Sequence, residues 1–116
     1  MPILLIGQAV LMGLMGVLSI LGPMTMFTTA GPEVLGLLRV VGFTYLFIMM
    51  VTGLVIKQRE DKVLVKFGFL FFLYFHLAFT LAHGMNALAV GSSFHLALVH
   101  GLFLLFFFLK LPRQGT

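Results

Sequence analysis

The sequence alternates between long apolar stretches and short breaks that are polar or rich in glycine and proline. A membrane-spanning helix needs about 20 mostly apolar residues, and the chain offers four such stretches. We predict helices over about 3–21, 34–56, 63–82 and 94–109. Because short connections make neighbouring helices antiparallel, the pattern predicts an all-α fold, an integral membrane four-helix bundle of up-down-up-down topology. We expect the whole chain to form one transmembrane domain.

The composition supports this interpretation. Hydrophobic residues make up 61% of the 116-residue chain and charged residues only 9%, whereas a soluble domain typically has about 25% charged residues. Cysteine is absent, so disulfides and thiolate metal sites are excluded. The net charge of +4 would suggest nucleic acid for a soluble protein. Here the basic residues lie at helix ends, a distribution that in a membrane protein sets the orientation of the helices across the bilayer. The lipid bilayer is therefore the expected partner, and nucleic acid is not.

The distribution of Lys and Arg predicts an orientation. The C-terminal segment carries Lys110 and Arg113, and the opposite side holds only Arg39. The loop between the second and third helices, with its flanks, carries Lys57, Arg59, Lys62 and Lys66. Since cytoplasmic loops carry the excess of basic residues, we expect a multi-pass protein of an inner, cytoplasmic-type membrane with both termini cytoplasmic. The first stretch lacks the basic start of a signal peptide, so we expect it to be a retained helix.

Four histidines fall in the last two predicted helices: His76, His83, His95 and His100. Ionisable groups inside a membrane are costly and usually face the bundle interior. In an antiparallel hairpin, two residues that lie opposite each other at the same depth have residue numbers whose sum is nearly constant. This rule pairs His76 with His100 near mid-membrane, and His83 with His95 nearer the extracytoplasmic ends. The inner pair suits two alternatives, a bis-histidine haem or single axial ligation of a chlorophyll-type pigment.

The outer pair suggests a metal site. Neutral imidazole binds zinc, copper, iron or nickel, and a carboxylate helps complete such a site. Glu33 would supply that carboxylate to His83 and His95, with Asn86 nearby. Arg39 lies inside the second helix, where it either snorkels to the interface or pairs with Glu33 or an anionic ligand. In the alternative interpretation, the histidines only donate hydrogen bonds to carbonyls or hydroxyls of neighbouring helices and hold the bundle together.

Two other patterns predict packing. Small residues at Ala9, Gly13 and Gly16 of the first helix favour a close helix contact, because small side chains let backbones approach. Phenylalanines are concentrated in 69–75 and 106–108, and we expect these segments to face lipid or partner proteins.

The second helix carries a resemblance to a known family. The segment Leu38-Arg39-Val40-Val41-Gly42, followed by an apolar helix to Gly53 and a short charged loop, resembles the DoxX-like group of small four-helix membrane proteins. The resemblance covers about the middle half of the chain. It implies an association with quinone-linked respiratory or redox assemblies, and it assigns no catalytic residue.

Three functional hypotheses follow. The first is a non-catalytic accessory subunit, packed against other membrane protein subunits of a respiratory or photosynthetic complex, with haem or pigment bound through a histidine. The second is a stand-alone membrane enzyme for redox, quinone or metal chemistry, in which the histidines are ligands or proton carriers. The third is a small oligomeric transporter, although the helices lack the mid-span breaks that build substrate sites in transporters.

Overall fold

The fold is all-helical within the residues that the computed structural model describes. These are residues 2–21, 32–90 and 94–111, with the side chains of all but 32–35 and 90. The helices are α1 (Pro2–Leu21), α2 (Pro32–Lys57), α3 (Lys62–Val90) and α4 (Phe94–Lys110). The predicted all-α class with four helices is confirmed. Their up-down order within one bundle stays a prediction.

Three of the helices are long and apolar enough to cross a membrane. The qualifying spans are Pro2–Leu21, Gly36–Lys57 and Lys62–Ala89. Helix α4 is apolar but shorter, with 17 residues, at the lower end of the spanning range of about 17–25. The helices therefore fit an integral membrane protein. The number of crossings and the cytoplasmic position of the termini stay predictions.

Helix α3 is longer than the apolar pattern indicates. The sequence places its end at Ala82, but the helix continues through Gly84 to Val90. A glycine inside a helix costs only about 1 kcal/mol relative to alanine, and the residues that follow it are mostly good helix formers. In an apolar environment the helix also keeps every backbone group hydrogen-bonded internally. A small-residue segment is therefore not enough to end it.

A side-chain cap determines where α3 begins. The Oδ1 atom of Asp61 accepts hydrogen bonds from the backbone N–H groups of Val63 and Leu64, each at 3.0 Å. These N–H groups belong to the first turn and have no partner within the helix. An aspartate in this position typically stabilises a helix by about 1 kcal/mol.

The chain divides into two compact units, Met1–Lys57 and Gln58–Thr116. In the first unit α1 packs along α2, and in the second α3 packs along α4. The buried positions of α1 recur every three or four residues, which is the spacing of one helical face. They are Leu5, Gln8, Met12, Gly16 and Ser19.

The predicted close contact of α1 is present and is made against α2. A Cβ atom added at Gly16 would lie 3.0 Å from the carbonyl oxygen of Gly42, and one added at Gly42 would lie 2.9 Å from that of Gly16. Neither site has room for a side chain. Gly13 also faces α2, where its added Cβ would lie 2.9 Å from the sulfur of Met49.

Phenylalanines form the core of the second unit. Phe69, Phe72 and Phe107 are each 0% exposed, and the ring centroid of Phe107 lies 5.2 Å from those of both others. The expectation that both phenylalanine-rich segments face lipid or partners is therefore wrong for these three residues and for Phe75, which is also buried. Phe106 and Phe108 are exposed, as expected. The difference arises because helical periodicity places only every third or fourth residue against the neighbouring helix.

Candidate functional site

Two histidines meet at the centre of the α3–α4 hairpin. His76 lies fourteen residues from either end of α3 and is 0% exposed, while His100 of α4 is 2% exposed. Their Nδ1 atoms are 3.0 Å apart, which is a hydrogen-bond distance. The predicted pairing of His76 with His100 across the hairpin is confirmed.

This hydrogen bond constrains the protonation of the pair. A neutral imidazole has one N–H donor and one acceptor nitrogen. With Nδ1 facing Nδ1, one ring carries its proton on Nδ1 and donates, while the other carries its proton on Nε2 and accepts. If both rings were imidazolium ions, two N–H groups would oppose each other. The pair therefore shares one proton between its facing nitrogens.

Phenylalanine rings surround the pair. His76 stacks on Phe103, with ring centroids 5.1 Å apart and planes 11° apart, and on Phe107 at 5.6 Å and 17°. The ring of Phe75 meets both histidines edge-on, at 5.1 Å from His76 and 5.8 Å from His100. These rings exclude water from the pair, and a hydrogen bond in such a low-dielectric environment is electrostatically stronger than one in water.

A third histidine extends the pair towards the C-terminal end of α3. The ring of His83 stacks on His100, with centroids 5.6 Å apart and planes 17° apart. Both ring nitrogens of His83 are buried, and neither has a hydrogen-bond partner among the residues that the structure describes. We call His76, His83 and His100 the histidine cluster. The sequence indicates that His76 and His83 share a face of α3, being seven residues apart. It assigns His83 to a pair with His95, and the stacking on His100 is visible only in the structure.

The remaining candidate residues lie outside this cluster. His95, Asn86 and Arg39 are exposed, and the side chain of Glu33 lies outside the described residues. Across the described ranges, no group of three or more His, Cys, Asp or Glu is arranged to hold a metal ion. A metal site of His83, His95 and Glu33 therefore stays a prediction. The exposure of Arg39 agrees with a side chain that snorkels to the interface, while its pairing with Glu33 stays a prediction.

The observed geometry of the pair bears on haem binding. Two nitrogens on opposite sides of one metal ion are about 4 Å apart, given metal–nitrogen bonds of about 2 Å. The 3.0 Å separation of His76 and His100 is shorter, and their rings bond each other directly. A haem plane does not fit between them in this arrangement. Ligation of haem or of a chlorophyll-type pigment by either residue alone stays a prediction.

The two ends of the α3–α4 interface differ in character. On the N-terminal side of His76 in α3, the interface is filled by the buried rings of Phe69, Phe72 and Phe107. On the other side of the cluster, small residues leave a groove of about 430 Å³. It is lined by Gly84, Ala87, Leu88, Phe94 and Ala97.

The first unit has a polar contact of a different kind. The amide Nε2 of Gln8 donates to Thr52 Oγ1 at 2.7 Å, and Thr52 Oγ1 donates to the carbonyl oxygen of Ile48 at 2.7 Å. Gln8 and Thr52 are both 0% exposed. Neither group titrates, so this contact joins α1 to α2 without the capacity to exchange a proton.

Comparisons with known proteins do not assign the chain to a family. No protein-family model, curated protein or solved structure matches it. The resemblance to the DoxX-like group stays a prediction.

Proposed function

We propose that this protein is a multi-pass membrane subunit that supplies a proton-exchanging histidine site to a larger redox or proton-linked membrane complex. The observation that carries the proposal is the direct hydrogen bond between His76 and His100 at the centre of the hairpin. An ionisable residue inside a membrane segment is a candidate functional site by default. Two that contact each other strengthen the case.

Comparison of the two units argues against a purely structural role for the pair. In the α1–α2 unit, the buried contact between Gln8 and Thr52 links the two helices through an amide and a hydroxyl, so this contact uses no group that titrates. Histidine is the side chain that ordinarily changes its charge near neutral pH. An amide and a hydroxyl are enough to link two helices. The presence of two histidines at the corresponding contact of α3 and α4 therefore favours a role in proton exchange.

The pair can pass a proton by a simple sequence of transfers. A proton taken up at Nε2 of the donating ring makes that ring an imidazolium ion. Its Nδ1 proton then moves to Nδ1 of the accepting ring, which releases its own proton from Nε2. One proton enters, one leaves, and the two rings exchange tautomers. The 3.0 Å separation lets the middle step occur without movement of the helices.

Access to the pair is favoured from one end only. The buried rings of Phe69, Phe72 and Phe107 fill the interface on one side of His76, while His83 extends the cluster on the other. Because the ring of His83 is stacked on His100, it must rotate out of the stack before it can hydrogen-bond to that residue. The arrangement favours a one-sided proton site over a continuous transmembrane path.

The apolar surface supports the role of a subunit. All four helices expose large hydrophobic side chains, such as Leu14, Phe43, Phe67 and Leu102. These surfaces are where the described helices can contact a partner protein. Membrane helices associate through packing and polar contacts rather than through a hydrophobic driving force, so exposed phenylalanine and leucine serve lipid and partner contacts alike.

Proton exchange at the pair is tested by nuclear magnetic resonance. The full chain, labelled with ¹⁵N-histidine and placed in lipid nanodiscs, is moved into D₂O, and the decay of the ring N–H signal of the His76–His100 pair is followed. We expect exchange within minutes, slowed in His83→Phe and unchanged in His95→Phe, the matched exposed control. Protection for days in the unmodified protein would show that the pair is a structural contact. Fast exchange that His83→Phe leaves unchanged would show that protons do not reach the pair through His83.

The subunit role needs a separate experiment. Purification from native membranes in a mild detergent is expected to yield a discrete complex with other membrane proteins. A preparation of this chain alone that turns over a redox substrate would reject that role. An absorption spectrum of the same sample tests the haem and pigment hypotheses, since a Soret band that His76→Ala or His100→Ala abolishes would identify a ligated haem.

A further inference from the structure

A shallow groove runs along the surface of the first turns of α3. It has a volume of about 510 Å³ and is lined by Lys62, Val63, Lys66, Phe67 and Leu70. These residues recur at intervals of three and four, which places their side chains on one face of the helix. The groove is therefore a continuous strip about 12 Å long, the rise of a helix over eight residues.

The two ends of the groove differ in chemistry. Lys62 is the first residue of α3 and is exposed, and Lys66, one turn further on, is half-buried. Within the described residues, neither ammonium group takes part in an ion pair or a hydrogen bond. Beyond the lysines, Phe67 and Leu70 are 67% and 43% exposed. One end of the groove is thus cationic and the other apolar.

The neighbouring charges leave the cationic end in excess. Arg59 and Glu60 in the preceding turn carry opposite charges. Asp61 is the nearest acidic residue, and its Oδ1 atom accepts hydrogen bonds from two backbone N–H groups. By residue number, Lys110 of α4 lies at the level of Lys66 across the hairpin, and it is exposed. This end of the hairpin therefore attracts anions.

The length of α3 indicates how deep the groove lies in a bilayer. The apolar span Lys62–Ala89 has 28 residues, which corresponds to about 42 Å. The hydrocarbon core is only about 30 Å thick, and about 40–45 Å with the headgroups. Because a charged side chain is costly in hydrocarbon, the lysine end lies among the headgroups. The groove then runs from the headgroups down to the acyl chains.

We propose that this groove binds one anionic phospholipid, with the phosphate between Lys62 and Lys66 and an acyl chain against Phe67 and Leu70. Side chains four residues apart on a helix are about 5–6 Å apart at their Cβ atoms, so both lysines can reach one phosphate. A zwitterionic lipid carries its own cation, which the lysines repel. A soluble anion would leave the apolar end uncovered. The proposal uses the membrane location proposed above but not proton exchange at the histidines.

Lipid binding is tested by native mass spectrometry of the full chain in an uncharged detergent. Phosphatidylglycerol is titrated as the anionic probe, and phosphatidylcholine with the same acyl chains is its control. A basic residue near an anionic membrane surface strengthens binding about fivefold. Two lysines therefore predict that the first phosphatidylglycerol binds about 25-fold more tightly than phosphatidylcholine.

Charge variants separate a site from the general attraction of a basic surface. Lys62→Gln and Lys66→Gln should each weaken phosphatidylglycerol binding about fivefold and leave phosphatidylcholine binding unchanged. Lys110→Gln is the matched control, because it removes the same charge at the same level of the hairpin but outside the groove. It should change binding little, since exposed charges farther from the ligand are screened.

Phenylalanine variants test the apolar end. Phe67→Ala should weaken phosphatidylglycerol binding about threefold, the equivalent of several lost van der Waals contacts. Phe108→Ala is its control, because Phe108 is 64% exposed, lies at nearly the same level of α4, and is outside the groove lining. Unchanged circular dichroism and an unchanged unfolding midpoint verify that each variant is folded.

Three outcomes would overturn the proposal. Equal affinity for the two lipids would remove the preference for an anion, and equal losses in Lys66→Gln and Lys110→Gln would leave only a diffuse basic surface. Displacement of the lipid by inorganic phosphate would identify a site for soluble anions. The D₂O experiment on the His76–His100 pair is run in phosphatidylcholine nanodiscs without anionic lipid, so either proposal can fail while the other stands.

Discussion

The crossing of α1 and α2 at two glycines allows a sharp test of the fold. In Gly42→Ala, the new methyl group would lie 2.7 Å from Ile20 Cγ1, 2.9 Å from the carbonyl oxygen of Gly16 and 3.0 Å from Ser19 Cβ. The first neighbour belongs to a side chain that can adjust. The carbonyl oxygen and the Cβ atom are fixed to the α1 backbone, so the helices themselves must separate by a few tenths of an ångström.

The expected magnitude follows from two opposing effects. Overpacking of a closely packed contact costs about 1–3 kcal/mol. Replacing glycine by alanine within a helix stabilises it by about 0.5–1 kcal/mol. We therefore expect Gly42→Ala to lower the free energy of unfolding by about 1 kcal/mol, the difference between the mid-range values of these effects. The matched control is Gly53→Ala on the same helix, where an added Cβ meets nothing within 4 Å, and which should stabilise the protein slightly.

The measurement is reversible unfolding of the full chain in mixed micelles, with SDS as denaturant and circular dichroism as readout. Gly42→Ala should unfold at a lower SDS fraction than the unmodified protein, and Gly53→Ala at an equal or higher one. If Gly42→Ala is as stable as the unmodified chain, the two backbones are not in contact at this point. If both variants lose the same stability, glycine acts through the helix itself and not through the crossing.

Further predictions use the same unfolding assay. Thr52→Val removes the acceptor of the Gln8 amide and should lower the free energy of unfolding by about 1–3 kcal/mol. The double variant Thr52→Val with Gln8→Leu should recover part of this loss. A double variant that is no more stable than Thr52→Val alone would contradict a direct contact. Asp61→Ala should cost about 1 kcal/mol by removing the cap of α3, whereas Asp61→Asn should retain most of it. Phe72→Ala opens a cavity in the core of the second unit and should cost about 3 kcal/mol or more, while the exposed Phe67→Ala should change little.

Much of the fold could be predicted from local pattern. The apolar stretches locate all four helices, because a helix in lipid needs only length and a continuous apolar surface. The end of α3 is the exception. The small-residue segment after Gly84 looks like a break in the sequence, yet the helix continues to Val90, since no proline or charged residue stops it.

The candidate site shows where sequence reasoning ends. The sum of residue numbers across an antiparallel hairpin places His76 opposite His100, because depth along a helix depends only on residue number. The same sums pair His83 with His95, whereas the ring of His83 stacks on His100. Which residue the ring of His83 contacts depends on the rotation of each helix about its axis and on side-chain rotamers. Residue numbers contain neither. Phe69, Phe72 and Phe107 were misplaced for the same reason.

The sequence alone therefore determined the all-helical fold and its apolar, membrane-compatible character, together with the depth at which two histidines meet. The fold and its apolar character depend on composition, and the depth of the histidines depends on distance along the chain. Only the tertiary structure decided that the Nδ1 atoms of His76 and His100 bond each other at 3.0 Å. It also decided that His83 has no hydrogen-bond partner within the described ranges, and that small residues between α3 and α4 leave a groove. These features depend on which faces of α3 and α4 pack together, and that is set by side-chain packing along the whole interface.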